Sequence, residues 1–254
     1  MSNKWLPLPR YVLRKKLVLH VLKKLGRENQ SCLEVGYGPG DMLIELSKAG
    51  FSTHGYDFSI NAYNEAKKRI NKCALQVKRN IHLFFNEKEI GKAQYDVVLA
   101  LEVLEHVKDD VSMLKVFNRY LKKNGLLIFS VPAHKSKWGE NDVWAGHYRR
   151  YEKKDFFHKL PDAEFKILHI WSYGYPLTIL LDLLIHKSHK KNTIIHSGFS
   201  KEDLSKLSGI KRKNSFTNQI FALKIWTFPF IYIQRLFLDF NMSSAFIVIA
   251  RKLK

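Results

Sequence analysis

The chain has 254 residues, of which 46% are apolar, so it can bury one sizeable core, and we expect a single elaborated domain over residues 1–254. Its 43 Lys and Arg residues outnumber its 23 Asp and Glu residues, and the net charge of +20 favours nucleic acid, anionic lipid or acidic substrates as partners. The start of the chain does not resemble a signal peptide, and two cysteines without paired spacing argue against a disulfide scaffold or a zinc knuckle and indicate a reducing cytoplasm.

The predicted elements alternate between helices and strands along the chain. Residues 11–25 predict an amphipathic helix within an N-terminal segment, 1–27, because apolar side chains recur there at helical spacing. Apolar runs predict strands at residues 32–35, 51–56, 81–85, 95–101, 126–131, 164–171 and 245–251. The segments between them predict helices at residues 41–49, 60–74, 109–121 and 152–160. This succession predicts an α/β fold with a mainly parallel sheet and helices on both faces.

Residues 172–242 form a long insertion before the last predicted strand. Two apolar segments, 175–185 and 220–240, flank a basic stretch rich in Ser and Asn. Neither segment offers the roughly 20 nearly uninterrupted apolar residues that a bilayer span needs. We therefore expect a helical insertion that acts as a lid over an apolar ligand or as a membrane contact. Packing of its aromatic residues into the core remains an alternative.

A loop with three glycines spaced two apart is the most informative motif. Gly36, Gly38 and Gly40 follow an apolar run that ends in Glu34, and glycine lets the backbone turn and lie flat against a ligand. The acidic surroundings disfavour a pyrophosphate. Asp57 ends the next apolar run, where a strand-end carboxylate can accept both hydroxyls of a ribose. Together these features indicate a nucleoside that carries an amino-acid tail.

The sequence resembles class I S-adenosylmethionine-dependent methyltransferases, and the resemblance is carried by segments 33–41, 95–107 and 120–132. The resemblance implies a Rossmann-like sheet of seven strands whose last strand is antiparallel. It also implies S-adenosylmethionine as the cofactor, with the three glycines against its methionine and ribose, Glu34 near its amino group and Phe58 beside its adenine. The full set of expected cofactor contacts is Glu34, Gly36, Tyr37, Gly38, Gly40, Asp57, Phe58, Asn86, Leu101 and Glu102. Many relatives have an Asp where this chain has Asn86.

The acceptor side is predicted around the segment that follows the strand ending in Ser-Val-Pro. His147 is a candidate base or metal ligand, and Tyr148, Arg149 and Arg150 are candidate contacts to an acceptor, since arginines clamp phosphate or carboxylate groups. The alternative is structural: His147 caps the helix that starts near Glu152, and the arginines pair with Glu152, Asp155 or surface acids.

A divalent metal ion is predicted at Glu102, Glu105, His106 and His147. Residues three and four apart on a helix share a face, so the first three can converge, and carboxylates and imidazoles suit Mg²⁺, Mn²⁺ or a similar ion. Such an ion lowers the pKa of an acceptor hydroxyl, which makes Glu105, His106 and His147 the expected catalytic residues. The arrangement is similar to that of metal-dependent O-methyltransferases of the ubiquinone pathway and of small-RNA 2′-O-methyltransferases. A structural cluster without metal is the alternative.

The sequence therefore predicts an S-adenosylmethionine-dependent enzyme that methylates an oxygen of a small or lipid-like acceptor. An RNA methyltransferase is one alternative, although the basic residues are scattered rather than gathered in a stripe. A non-catalytic protein that binds S-adenosylmethionine is another. We expect a cytoplasmic protein, with peripheral contact to the inner face of an anionic membrane.

Overall fold

The computed structural model describes residues 8–26, 30–92, 94–179, 201, 204 and 224–253, with side chains described from residue 228 onward in the last range. Seven strands form one sheet in the order β3-β2-β1-β4-β5-β7-β6. They are β1 (Ser31–Val35), β2 (Ser52–Tyr56), β3 (Ile81–Phe84), β4 (Tyr95–Leu101), β5 (Leu121–Pro132), β6 (Phe165–Ser172) and β7 (Ala245–Lys252). Strands β1 to β5 pair in parallel, and β7 runs antiparallel between β5 and β6. The predicted Rossmann-like fold, with its antiparallel last strand, is confirmed.

Helices cover both faces of this sheet. They are α1 (Pro9–Lys24), α2 (Asp41–Lys48), α3 (Ile60–Ile70), α4 (Leu75–Arg79), α5 (Asp110–Tyr120), α6 (Glu140–Ala145), α7 (Phe156–Asp162) and α8 (Lys224–Ile233). Apolar side chains of α1 and α2 pack with alternate strand residues in one buried cluster. Those of α5 and α7 pack in another cluster on the strand residues of opposite orientation. This packing holds the sheet rigid beneath the loops at its carboxyl edge.

Three elements differ from their sequence predictions. The single helix predicted over 60–74 is wrong, because α3 ends after Ile70 with Asn71, a poor helix former, at its C-cap. The helix predicted over 152–160 begins instead as a 3₁₀ turn at Lys153–Asp155 and becomes α-helical only from Phe156. Strand β5 begins at Leu121 rather than at residue 126. Its early part is polar and contains Asn124 at a φ of 62°, so the apolar pattern did not reveal it.

The insertion between β6 and β7 is described only in part. Helix α8 lies in its second apolar segment, and the basic stretch of the insertion falls largely outside the described residues. Among the residues that the structure describes, no helix combines the length and apolar character needed to cross a bilayer.

Candidate functional site

The glycine loop connects β1 to α2 at the carboxyl edge of the sheet. Gly36, Gly38 and Gly40 have φ angles of 72°, 53° and 73°, in the left-handed region that favours glycine. A Cβ atom at Gly36 would lie 2.7 Å from Val103 Cγ2, whereas one at Gly38 would meet no heavy atom within 4 Å. The backbone of Gly38 therefore borders open space, at the edge where open α/β sheets bind ligands.

Two buried carboxylates flank this loop. Glu34 is 3% exposed, and its Oε2 has no hydrogen-bond partner in the part of the chain that the structure describes. Asp57 is 7% exposed, and its two oxygens accept hydrogen bonds of 2.9 Å from the backbone N–H groups of Gly38 and Ser59. Burial raises the pKa of both carboxyl groups, and for Asp57 those two hydrogen bonds oppose the rise. Each carboxylate keeps free lone pairs, so a ligand with N–H or O–H donors would satisfy both.

The remaining predicted cofactor residues lie around the same edge in different settings. Phe58 is 48% exposed beside Asp57. Asn86 caps the 3₁₀ turn that follows β3. Leu101 ends β4 and is buried in the core. The side chain of Tyr37 belongs to an apolar cluster with Leu43, which leaves its backbone as the part that borders the glycine loop.

Glu102 begins the turn after β4 and binds an arginine that the sequence prediction missed. Its φ is 60°, and its Oε1 lies 2.9 Å from Arg14 Nη1 in α1. Ser130 Oγ donates to the same oxygen at 2.8 Å, and Tyr173 Oη at 3.3 Å. Burial raises the pKa of Glu102, but the charges of Arg14 and Arg10 and the hydrogen bond from Ser130 together outweigh that effect and hold the pKa below its usual value. Glu102 is therefore a charged member of a buried network between α1 and the sheet.

Glu105, His106 and His147 come together above the ends of β4 and β5. The first two lie in the 3₁₀ turn Leu104–His106, and one ligand atom from each of the three residues lies within 4.8 Å of the others. His147 Nε2 is 4.0 Å from Glu105 Oε1, and the rings of His106 and His147 meet edge to face at 4.7 Å. The structure thus groups three of the four predicted metal ligands, while Glu102 turns to Arg14 instead.

The electrostatics of this cluster favour a cation. Glu105 is 0% exposed, and among the described residues neither its carboxylate oxygens nor His106 Nδ1 has a hydrogen-bond partner. Burial and the charge of Glu102 raise the pKa of Glu105, whereas burial and His147 lower the pKa of His106 to about 4. A buried carboxylate requires a positive partner to stay ionised, and a neutral imidazole is the form that binds metals. A divalent cation would satisfy all three side chains.

Asp142 in α6 fixes the orientation of His147, and the sequence analysis did not identify it. Its Oδ1 lies 2.9 Å from His147 Nδ1, and both of its oxygens accept from Arg150 Nε at 2.9 Å. Burial raises the pKa of Asp142, but the hydrogen bonds from His147 and Arg150 outweigh it and lower the pKa. A histidine that ligates a metal commonly donates its other nitrogen to such a carboxylate. The only sequence signal was a single acid five residues before His147.

The predicted acceptor contacts divide between two roles. The backbone N–H of Tyr148 donates to the Glu105 carbonyl at 2.7 Å, which holds this segment against the 3₁₀ turn. Arg149 Nη1 binds Asp110 at 2.9 Å, and Arg150 binds Asp142. Both arginines are therefore paired with buried acids, and not with Glu152, Asp155 or surface acids as the structural alternative expected. Tyr148 lies beside the cluster.

One ion pair joins helix α1 to Asp41, the residue that follows the glycine loop, and a second joins Asp41 to α3. Lys15 Nζ lies 2.6 Å from Asp41 Oδ2, and Arg69 Nη2 lies 2.9 Å from Asp41 Oδ1. Burial raises the pKa of Asp41, but its contacts with these two cations outweigh the rise and lower the pKa. Arg10 Nη2 donates to Ser244 Oγ at 2.8 Å, so α1 also reaches the start of β7.

Comparison with known proteins gives a consistent picture. A family model described as a methyltransferase domain matches residues 9–170. A ubiquinone biosynthesis O-methyltransferase from Hydrogenovibrio crunogenus is 32% identical over 105 residues, which cover 41% of this chain and 43% of that protein. The chain matches about half the length of such curated relatives.

Solved structures share the fold. Phosphoethanolamine N-methyltransferase 2 from Haemonchus contortus, in complex with S-adenosyl-L-methionine, has a TM-score of 0.57 at 16% identity, covering 93% of this chain and 52% of that one. The [4+2]-cyclase SpnF has a TM-score of 0.58 at 14% identity, covering 94% of this chain and 80% of that one. Because a cyclase shares the architecture, the reaction must be inferred from the site rather than from the fold.

Proposed function

The chain belongs to the methyltransferase-domain family, and we propose that it transfers a methyl group from S-adenosylmethionine to an oxygen of a small or lipid-like acceptor, with help from a divalent metal ion. The observation that carries this proposal is the fully buried carboxylate of Glu105 beside two imidazoles. Its oxygens accept no hydrogen bond from the described residues.

The residues at the glycine loop fit S-adenosylmethionine. The unpartnered Oε2 of Glu34 suits its amino group, the open space at Gly38 leaves room for its methionine, and Asp57 suits its ribose hydroxyls. The other expected contacts, at Phe58 and Asn86, border the same edge. The bound cofactor would supply an electrophilic methyl group on a sulfonium sulfur.

The residues of the cluster fit a divalent cation such as Mg²⁺ or Mn²⁺. Glu105, His106 and His147 would hold the ion, and Asp142 would keep His147 in the tautomer that presents Nε2. A metal ion here would supply Lewis-acid activation of an acceptor hydroxyl. Glu102 stays outside the cluster, where its pairing with Arg14 keeps its carboxylate charged and fixed.

The chain's own residues carry the alignment that methyl transfer requires. An in-line displacement needs the acceptor oxygen held in line with the methyl group and relieved of its proton. The cofactor and the acceptor would meet in the space between the glycine loop and the cluster, which we call the cleft. Tyr148 lies on the segment held against the 3₁₀ turn of the cluster, so we assign it to acceptor contact. Helix α1, fastened through Lys15 and Arg14, helps to exclude water from this cleft.

We further propose that the protein acts in the cytoplasm and makes peripheral contact with the inner face of a membrane when it meets a lipid-like acceptor. The high net positive charge supports attraction to anionic lipid. The ubiquinone pathway named for curated relatives also points to an acceptor with lipid character.

The test separates cofactor, metal and acceptor. Calorimetry should detect S-adenosylmethionine binding to the wild-type chain, and manganese titration should detect one metal site. With a catechol as the probe acceptor, we expect O-methylation that is lost in excess chelator and restored by Mg²⁺ or Mn²⁺. Glu105→Gln should lose the metal site and the activity while keeping cofactor binding.

Three results would contradict the proposal. Absence of S-adenosylmethionine binding would remove the cofactor assignment. Full activity in chelator, shared by Glu105→Gln and His147→Ala, would remove the metal. Methylation that is confined to nitrogen or carbon acceptors would remove the O-directed reaction.

A further inference from the structure

Helix α8 and the 3₁₀ turn that follows it, Gln234–Phe237, expose large apolar side chains. Phe228 and Tyr232 lie one turn apart on α8 with ring centres 5.6 Å apart, and they are 61% and 54% exposed. Leu236 in the 3₁₀ turn is 75% exposed, and Phe240 and Met242, farther along the chain, are 55% and 46% exposed. We call these five residues the α8 stripe.

The inner side of α8 is fixed in place, so the stripe has a defined orientation. Phe230 and Ile231 pack against the buried Leu13 of α1. Gln234 is 1% exposed, its Nε2 donates to the Leu13 carbonyl at 3.2 Å, and its Oε1 accepts from Gly174 N–H at 3.2 Å. Because the opposite side of this segment packs against α1, the exposed apolar side chains are separate from the core of the described residues.

Positive charges border the stripe. The Arg235 guanidinium lies 5.2 Å from the centre of the Tyr232 ring. Lys23 and Lys24 are exposed in the last turn of α1. Arg235 and Lys24 lie close enough to His20 that, together with burial, they lower its pKa. The surface therefore combines apolar side chains with cations on adjoining helices.

We infer that the α8 stripe, together with Arg235 and Lys24, is a docking surface for an anionic lipid bilayer. Helices that lie in a membrane interface combine aromatic and aliphatic side chains on one face with Lys and Arg beside them. Anionic headgroups complement both this local charge and the net charge of +20 of the whole chain. This inference builds on the proposed lipid-like acceptor and identifies the part of the surface that would meet the membrane.

The docking surface is mechanically connected to the candidate site. Gln234, in the 3₁₀ turn after α8, binds Leu13 in the middle of α1. The next residue of α1, Arg14, binds Glu102. A bilayer under the stripe would therefore hold α1 against the cleft, and an acceptor that partitions into lipid would approach along that side.

The experiment is co-sedimentation of the full chain with vesicles. We expect binding to vesicles of phosphatidylcholine and phosphatidylglycerol in equal parts, and little binding to phosphatidylcholine alone. The double variant Phe228→Ser with Leu236→Ser should bind the anionic vesicles at least about tenfold more weakly. Lys24→Gln and Arg235→Gln should each weaken binding about fivefold and reduce its dependence on salt.

Matched controls remove equally exposed apolar side chains elsewhere. Leu75 in α4 and Phe157 in α7 are 60% and 59% exposed, and the double variant Leu75→Ser with Phe157→Ser should bind vesicles like the wild type. The inference is overturned if the wild type ignores anionic vesicles, or if the stripe variant and the control behave alike. It is also overturned if gel filtration without lipid shows a wild-type dimer that the stripe variant lacks, because the stripe is then an interface between copies.

Calorimetry with S-adenosylmethionine, in the absence of vesicles, separates this inference from the proposed function. Stripe variants should keep wild-type cofactor affinity. A wild-type chain that binds vesicles but no cofactor would contradict the proposed function alone.

Discussion

Asp41 connects the glycine loop to two helices through Lys15 and Arg69. Because these contacts lower its pKa in the folded state, the carboxylate stabilises the fold at pH values above its unfolded pKa, about 3.9, and this contribution is lost as the pH falls through the folded pKa. We predict that Asp41→Asn lowers the free energy of unfolding by about 2 kcal/mol at pH 7. Denaturant titrations should show the difference from wild type shrinking below about pH 4.

Glu45→Gln is the control on the same helix. Its carboxylate pairs with Lys48, whose side chain is 54% exposed, at 3.3 Å. Such surface pairs contribute about 0–1 kcal/mol, so this variant should unfold almost like the wild type at every pH. A pH-independent loss of stability in Asp41→Asn would show that its charge is not what matters.

Asp142 offers a test of how the cluster is positioned. We predict that Asp142→Asn weakens manganese affinity by about 10–100-fold, because the amide no longer fixes the His147 tautomer or adds negative charge behind it. Cofactor affinity should stay unchanged, since Asp142 is remote from the glycine loop in sequence and contacts. Manganese titration and calorimetry on the same preparation measure both.

Asp162→Asn, an exposed change at the end of α7, should keep full manganese affinity. Wild-type manganese affinity in Asp142→Asn would mean that His147 needs no support from this carboxylate, and that the metal assignment must rest on the other ligands.

The sequence prediction of the cluster relied on helical spacing, which describes only some of its residues. Glu105 and His106 converge with His147 as predicted, although through a 3₁₀ turn rather than an α-helix. Glu102 departs because its positive φ ends the strand with a reversal before that turn begins. Asp142 could not be found, because its importance comes from a contact with His147 across the end of α6, and a separation of five residues matches no helical spacing.

Among the elements, α1 carries a buried cation into the sheet. Arg14 is 8% exposed and binds Glu102 and Ser130. Removing one partner of such a pair leaves the other charge without compensation, so we predict that Arg14→Met lowers the free energy of unfolding by about 3 kcal/mol. The double variant Arg14→Met with Glu102→Gln should recover part of that loss in denaturant titrations.

Denaturant titrations of the two single variants and of the double variant test whether the two charges interact. If the double variant is as unstable as the sum of the two single variants, the charges do not interact in the way the distance suggests.

The elements that the sequence predicted well have clear apolar patterns and clear ends. Strand β4 was predicted with its observed bounds, because six of its seven residues are apolar and buried in the sheet centre. Helix α6 was missed since it has six residues and buries only Asp142 among them. The early part of β5 was missed because three exposed polar residues precede its apolar run.

For the whole molecule, cofactor binding should be visible as a gain in stability. A ligand at 100 times its dissociation constant adds about 2.7 kcal/mol, which for a domain of this size raises the melting temperature by about 5–10 °C. We predict such a shift with S-adenosylmethionine for the wild type, and a much smaller one for Asp57→Ala at the same concentration. Asp239→Ala, an exposed carboxylate far along the chain, should shift like the wild type. Equal shifts for Asp57→Ala and wild type would remove Asp57 from the cofactor site.

The architecture of the whole sheet was predictable because alternation of strands and helices fixes a parallel sheet, and resemblance to the family supplied the antiparallel strand. The position of α1 was not predictable. Its amphipathic pattern indicated a buried face, but not that the face would lie on residues from the far end of the chain.

The fastening of α1 has a consequence for the order in which the protein matures during synthesis. Three residues of α1 bind partners that are made much later. Arg14 binds a residue 116 positions later in the chain, Leu13 one 221 positions later, and Arg10 one 234 positions later. Contacts of such long separation form late, because loop closure must precede them. The glycine loop can thus fold early on the ribosome, yet α1, which is made before the loop, docks late, and the nascent protein reaches a closed cleft only once β7 is made.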